Sequence, residues 1–264
     1  PRPVRLLVVM AKADVTLSEI DLIAATQGPG LIGSLLVGFS YSKALSYVSN
    51  IPLVGVDHMA GHILSTFLSP EPPSFPYVAL IVSGGTSSLF LAESFTSFRI
   101  LGRTRDDAAG EAFDKVAKLL GLPYPGGPHV SRQAAKGDSG FVTFPRAWLE
   151  EDSLDFSFSG LKTAVLNHTN QQKQKGHELR IPDICASFQE AVTDVLVKKT
   201  LLAAAREKTQ TIVLGGGVSA NPRLRAAFRD HCQSAGLSLY VPEIEYCTDN
   251  AAMIALAGHY KYIQ

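Results

Sequence analysis

The chain has 264 residues, 46% hydrophobic and 18% charged, enough to bury a sizeable core and unlike a disordered polypeptide. Lys+Arg 24 balances Asp+Glu 24, so no bulk positive field exists to hold nucleic acid, and such a partner must meet a local patch or come through another subunit. The three cysteines (Cys185, Cys232, Cys247) are scattered and form no C-x-x-C pair, which excludes a thiolate metal knuckle or disulfide framework and favours a reducing compartment.

Residues 4–13 read as a helix. Its apolar run Leu6–Ala11 is too short for a signal or membrane segment, and Lys12 and Asp14 follow it closely. Thr16 or Ser18 starts a short turn, and 20–25 reads as a strand. Thr26 to Ser34 contains Gly28 and Gly33 at P-loop spacing, but Ser34 stands in the lysine place, so the loop is either an amide cradle for an anion or a plain strand-to-helix turn. A helix over 35–48 follows.

Ile51 to Val56 reads as a short buried strand, with Asp57 placed to cap the helix that starts at His58. His58 and His62, four apart, share a helix face, so both imidazoles reach one point and make half of a metal site. The alternative is a pair of ordinary polar residues. Met59 occupies the place where zinc peptidases of the H-E-x-x-H type carry their general base, which argues against that chemistry. Four prolines between Ser69 and Pro76 mark a linker and the expected domain boundary.

Tyr77–Val82 and Leu89–Ala92 read as strands around Ser83-Gly84-Gly85-Thr86, a turn able to cup a phosphate or simply close a hairpin. A helix over 107–120 buries Phe113, Val116, Ala117 and Leu120 and gathers Asp107, Glu111 and Asp114 on another side, either as a solvated face with a Glu111–Lys115 pair or as a cation or hydroxyl site. Pro123 to Pro128 ends it as a loop. Asp155 to Thr163 passes from strand to helix, 170–178 reads as an exposed loop, and Asp183 is expected to cap a helix to about Glu207. Thr211–Leu214 is a strand entering Gly215-Gly216-Gly217, where a flat ligand can lie on bare backbone, and Asn221 before Pro222 reads as a helix cap. Residues 239–242 form a last strand. Asp249 either caps the helix over 251–260 or serves as a carboxylate ligand.

Taken in order, Gly28-Pro29-Gly30-Leu31-Ile32-Gly33-Ser34-Leu35, His58-Met59-Ala60-Gly61-His62, Val82-Ser83-Gly84-Gly85, Asp107 to Lys115, Asp155 to Lys162, Gly215 to Asn221 and Thr248-Asp249-Asn250-Ala251-Ala252-Met253 resemble the motifs of the TsaD family, over essentially the whole chain. The resemblance implies an α/β, two-domain actin/Hsp70-like (ASKHA, ribonuclease H-like) fold around a nucleotide cleft, with domains over 1–76 plus 250–264 and over 77–249. It implies transfer of threonylcarbamoyl from threonylcarbamoyl-AMP to N6 of the adenosine 3′ of the anticodon in ANN-reading tRNAs. It further implies that His58, His62 and Asp249 ligate iron or zinc, and that Ile81, Val82, Ser83, Gly84 and Gly85 meet the adenine nucleotide (threonylcarbamoyl-AMP, ATP or AMP). Asp114, Gly127 and Asn221 would meet that nucleotide too, with Asp107, Glu111, Gly216 and Gly217 as further candidates; no catalytic base is indicated. The implied partners are tRNA, a TsaB-like paralogue in a heterodimer and a TsaE-like ATPase, in the cytoplasm with no membrane. The family's opening hairpin and phosphate loop do not precede Pro1, so about the first fifth of the first domain is expected to be missing, and Thr86-Ser87-Ser88 departs from the family's usual turn. The competing readings are a glycoprotease-type metallopeptidase and an inactive scaffold subunit.

Overall fold

The computed structural model describes residues 2–148 and 152–264. The chain divides into two compact units, Pro1–Leu64 with Asn250–Gln264, and Ser65–Asp249.

In unit 1, helix α1 (Arg2–Ala13) leads into a 3-10 turn at Leu17–Glu19, whose start is closed by the Thr16 hydroxyl donating to Glu19 Oε2 at 2.7 Å. Strands β1 (Ile23–Gly28) and β2 (Leu53–Asp57) pair in parallel through the crossover helix α2 (Ile32–Ser49). β1 starts three residues after the expected 20–25, because its partner fixes the register at Ile23 opposite Leu53. Gly28 is thereby a strand residue and Gly33 lies in the first turn of α2. The loop between strand and helix is the turn 29–31.

β2 runs directly into α3 (His58–Leu64), and Asp57 caps it as expected, its Oδ1 accepting from the N–H of Met59 at 2.7 Å and of Ala60 at 3.3 Å. The chain returns to unit 1 as α10 (Ala251–Ile263), packed against α3 and the two strands. Glycines set how close it comes. A Cβ on Gly258 would stand 2.5 Å from Ala24 Cβ, and one on Gly61 would stand 3.0 Å from Met253 Cγ and Ile254 Cδ1. At the far end, Lys261 Nζ donates to the Gly55 carbonyl at 2.8 Å.

Unit 2 is built on a five-stranded sheet. It contains β3 (Tyr77–Val82), β4 (Ser87–Ala92), β5 (Phe98–Arg103), β6 (Thr211–Gly215) and β7 (Ser238–Tyr240), in the order β5-β4-β3-β6-β7. β3, β4 and β5 are antiparallel neighbours, while β6 and β7 run parallel to β3. β3 is central and buried at every residue, which is why it reads as an unbroken apolar run. Helices α4 (Ala109–Leu119), α5 (Gly126–Ala134), α6 (Ser159–Gln174), α7 (Ile181–Arg206), α8 (Pro222–Ala235) and the short α9 (Ile244–Cys247) complete it. The expected α4 stripe of Phe113, Val116, Ala117 and Leu120 is buried, with Phe113 edge-on to Phe188 of α7 at 5.0 Å.

Several expectations are corrected here. Residues 65–76 belong to unit 2 rather than to the first domain, because Phe67 stacks on Phe75 at 5.3 Å and Phe75 on Tyr77 at 5.2 Å. β5 carries half-exposed residues on an edge and shows no clear alternation, so its signal is weak. The presumed loop through Pro128 already contains the start of α5: Gly126 is needed where a Cβ would meet Ala117 Cβ at 2.5 Å, and Pro128 fits a first turn that needs no donor. α6 continues to Gln174, so 170–174 is helix, and Gly176 (φ +71°) provides the stop. Arg180, not Asp183, is the N-cap of α7. Asp183 lies in its first turn, where it accepts the Asp138 N–H at 2.8 Å and pairs with Arg180 at 2.5 Å.

A carboxylate anticipated by no motif fixes the start of α6. Asp106 accepts the hydroxyls of Ser157 (2.5 Å) and Ser159 (2.7 Å) and the N–H groups of Phe158 (2.9 Å) and Ser159 (3.3 Å). Burial alone raises this carboxyl, but the serine hydroxyls and backbone N–H groups outweigh it and hold Asp106 below the usual carboxylate range. Because its folded value is the lower one, the stability it contributes is present above the ordinary carboxyl range and fades as pH falls through it. Asp106→Asn is therefore expected to lose about 1 kcal/mol at pH 7, the size of a lost helix cap. In chemical denaturation at stepped pH, its deficit against the unsubstituted chain should shrink as pH falls below the ordinary carboxyl range and Asp106 takes up its proton.

Candidate functional site

The first component lies on the α3–α10 pair. The His58 and His62 rings sit one helical turn apart with centroids at 4.8 Å and planes at 84°, so they converge edge to face instead of stacking in parallel. Asn250 caps α10, its Oδ1 accepting the Met253 N–H at 2.8 Å, so of the two roles open to Asp249 the cap is taken by its neighbour. Asp249, peptide-bonded to that cap, is carried by the helix start. One ligand atom from each of His58, His62 and Asp249 falls within 4.8 Å of the others. His62 is buried, His58 half-buried and Asp249 exposed, a gradient from inside to solvent.

Two imidazole nitrogens and one carboxylate oxygen form a donor set that suits zinc or iron, and three protein ligands leave coordination positions open. The thiols lie elsewhere: all three cysteines are buried, and burial pushes Cys185 up to about 12 and Cys232 up to about 11, so both stay protonated at neutral pH. The residues therefore fit a bound metal on the chemistry of their donors.

The second component is a cavity of about 470 Å³ within unit 2. Gly110 of α4, Gly127 of α5 and Asn221 and Pro222 at the start of α8 line it, so three helices begin at its wall. Helix N-termini carry partial positive charge and suit an anionic ligand, which gives a chain of zero net charge a local place for a phosphate. Close backbone approaches shape the floor. Gly110 N–H donates to the Ser83 carbonyl at 3.2 Å, and Ser83 N–H donates to Thr86 O at 2.7 Å. Gly216 adopts φ +81°, where a side chain would run into the Val82 backbone.

Of the residues singled out from sequence, Gly84, Asp114, Gly127, Gly217 and Asn221 line this cavity. Asp114 lines the cavity and accepts the Gly126 N–H on Oδ1 at 2.6 Å, so that bond occupies one of its two carboxylate oxygens. Asn221 is engaged at both ends of its amide: Oδ1 accepts from Arg223 N (2.9 Å) and Leu224 N (3.1 Å), and Nδ2 donates to Gln189 Oε1 (2.7 Å). One N–H remains for a ligand. Ile81 and Val82 lie inside β3 and do not reach the wall, while Ser83, Gly85 and Gly216 shape the turns behind it.

Asp107 and Glu111 are not brought to the cavity. Both pair with the one Lys115, at 2.6 and 2.8 Å, and Asp114 is drawn to Gly126, so the three carboxylates of the stripe are divided between two settings. The sequence reading missed Tyr124, Ser131 and Arg132 at the cavity, because Tyr124-Pro125-Gly126-Gly127-Pro128 reads as the end of an element.

Comparison with known proteins adds the family. The family model described as TsaD, tRNA N6-adenosine threonylcarbamoyltransferase, matches residues 6–256. A protein of that name from Desulfotalea psychrophila is 60% identical over 258 residues, covering 97% of this chain and 75% of its relative. One from Moorella thermoacetica is 52% identical (97% and 75%), and one from Bacillus subtilis 53% identical (94% and 71%). Among solved structures, full-length HypF in a phosphate- and nucleotide-bound form aligns at a TM-score of 0.68 with 15% identity, covering 95% of this chain and 47% of that one. HypF of T. kodakarensis aligns at 0.71 with 14% identity, covering 98% and 43%. At such identity these two likenesses show fold alone.

The fold is thus of the actin/Hsp70-like α/β class expected from the motifs. The chain belongs to the TsaD family, and within that family it is an enzyme, an acyltransferase. No described helix is long and apolar enough to cross a membrane.

The closeness of α3 and α10 yields a test that leaves every proposed ligand intact. Gly61→Val places branched atoms where Met253 and Ile254 already lie at 3.0 Å from a Cβ. It is expected to weaken zinc retention about tenfold or more, as lost ligand orientation does elsewhere, read by elemental analysis after dialysis against a graded chelator.

Proposed function

We propose that this chain transfers the threonylcarbamoyl group of threonylcarbamoyl-AMP to N6 of the adenosine 3′ of the anticodon in tRNAs reading ANN codons. Its relatives are named tRNA N6-adenosine threonylcarbamoyltransferases, and the reading rests on that kinship together with the His58–His62–Asp249 cluster. In the step, the N6 lone pair attacks the carbamoyl carbon and the carbon–oxygen bond to the phosphate breaks. AMP departs with that electron pair, and one N6 proton is released.

The roles of the residues follow from their chemistry. The starts of α4, α5 and α8 receive the nucleotide phosphate, Asp114 offers its second oxygen to a ribose hydroxyl, and Asn221 offers its remaining N–H to the adenosine end. Backbone at Gly84 and Gly217 lets the ligand lie flat. His58, His62 and Asp249 would hold the metal, iron or zinc, which when bound supplies Lewis-acid stabilisation of charge on carbonyl or phosphate oxygen. No side chain is assigned as the base.

A peptidase reading lacks support, since Met59 holds the place a general base would need. An inactive scaffold would have no use for the three-ligand cluster. We further propose a cytoplasmic setting in which a TsaB-like paralogue pairs with the chain and a TsaE-like ATPase acts with them.

The assay is transfer in a mixture of threonylcarbamoyl-AMP, tRNA and the partner proteins, with modified adenosine quantified by mass spectrometry. His62→Ala is expected to lower product formation by about a hundredfold or more, the size of several kcal/mol of lost charge stabilisation. Undiminished product would remove the cluster from the reaction.

A further inference from the structure

Two side chains on the cavity wall have no part in the roles above. Tyr124 borders the cavity yet is 84% exposed. A single exposed aromatic is ordinary on a protein surface, but this one projects from a stiff stretch of backbone. Pro125 follows it directly, and Gly126 is wedged against α4, where even a methyl group would meet Ala117 and Asp114.

Arg132 lies on α5, lines the same cavity and is exposed. Its recorded contact is Nη2 with His129 Nδ1 at 3.0 Å. No carboxylate among the described residues lies within ion-pair distance of it, whereas Arg99, Arg146, Arg180, Arg206 and Arg223 each face one. In a chain of zero net charge, a guanidinium with no carboxylate within ion-pair distance among the described residues, on the same cavity wall as an exposed aromatic ring, calls for a partner both flat and anionic.

We propose that Tyr124 and Arg132 are positioning residues for the acceptor RNA at the rim of this cavity. Tyr124 would stack a base unpaired from its neighbours, and Arg132 would meet the adjoining phosphate. The inference rests on the transfer reaction proposed above. A donor nucleotide is served by the helix starts and by Asp114, Gly127 and Asn221. An acceptor adenosine has a different need: N6 must leave the stack of its own loop to reach the donor, and an aromatic platform returns the stacking it loses. The exposure of both side chains fits a large partner arriving from solvent better than a small one enclosed by the wall.

The test uses the whole 264-residue chain and two probes: an RNA hairpin with 2-aminopurine replacing its loop adenosine, and AMP followed by calorimetry. Tyr124→Ala is expected to weaken hairpin binding about tenfold, the size of a lost base–aromatic stack, and to abolish the quenching of 2-aminopurine fluorescence. Tyr124→Phe should retain both. Arg132→Ala should weaken the hairpin and reduce the slope of log affinity against log salt by about 1. AMP affinity and melting temperature should stay within error for all three.

A fall in AMP affinity with the hairpin unaffected would assign the pair to the donor and overturn the inference. Hairpin binding and quenching unchanged by the substitutions would overturn it while leaving the transferase reading intact. A chain that binds AMP but no hairpin would likewise overturn the inference, while the transferase reading stands or falls on the transfer assay with the partner proteins.

Discussion

The close packing of α10 against α3 is the constraint on which the setting of the histidine pair depends. One turn of α3 presents two imidazoles, which is a local property of the spacing between His58 and His62. The third donor lies 187 positions further along the chain than His62 and becomes their neighbour only because α10 returns against α3. Gly61 and Gly258 permit that return, each standing where a methyl group would press on the opposing element. Asn250 completes the arrangement by capping α10 itself, so that Asp249 is not needed as the cap. Packing, capping and ligation are successive consequences of the same few small or polar residues.

Unit 2 solves a different problem, how a chain with no net charge receives an anionic ligand. Charge is supplied by backbone. α4, α5 and α8 start at one cavity, and their approach depends on the absence of side chains at Gly110 and Gly126 and on the left-handed turn at Gly216. Acidic side chains nearby are engaged locally: Lys115 pairs with both Asp107 and Glu111, and Asp114 is directed by the Gly126 N–H. The β3–β4 turn contributes through its backbone, Ser83 receiving Gly110 and closing on Thr86.

Much of this was legible in the residues, for identifiable reasons. β3 announced itself because a central strand covered on both faces is apolar throughout, α4 because its buried stripe repeats at helical spacing, and α8 because Asn221-Pro222 is a cap followed by a first-turn proline. The boundaries of β1 and α2 were displaced because register is set by the partner strand, which no local pattern encodes. α5 was hidden because glycine and proline read as punctuation, although here glycine is demanded by α4 and proline by the first turn. The sequence groups Asp107 and Glu111 with Asp114, but α4 starts only at Ala109 and only Asp114 reaches the cavity, a distinction that depends on Lys115 and on where α5 begins. Tyr124 and Arg132 carried no signal at all, because exposed residues on a loop and a short helix obey no periodicity.

The convergence of two imidazoles and one carboxylate is the central claim, and X-ray absorption spectroscopy of the zinc-loaded chain tests it most directly. The account predicts a shell of nitrogen and oxygen at about 2.0–2.2 Å with the outer-sphere scattering of two imidazoles, reduced to one imidazole in His58→Ala. A sulfur shell at about 2.3 Å, or a spectrum with no imidazole contribution, would contradict it.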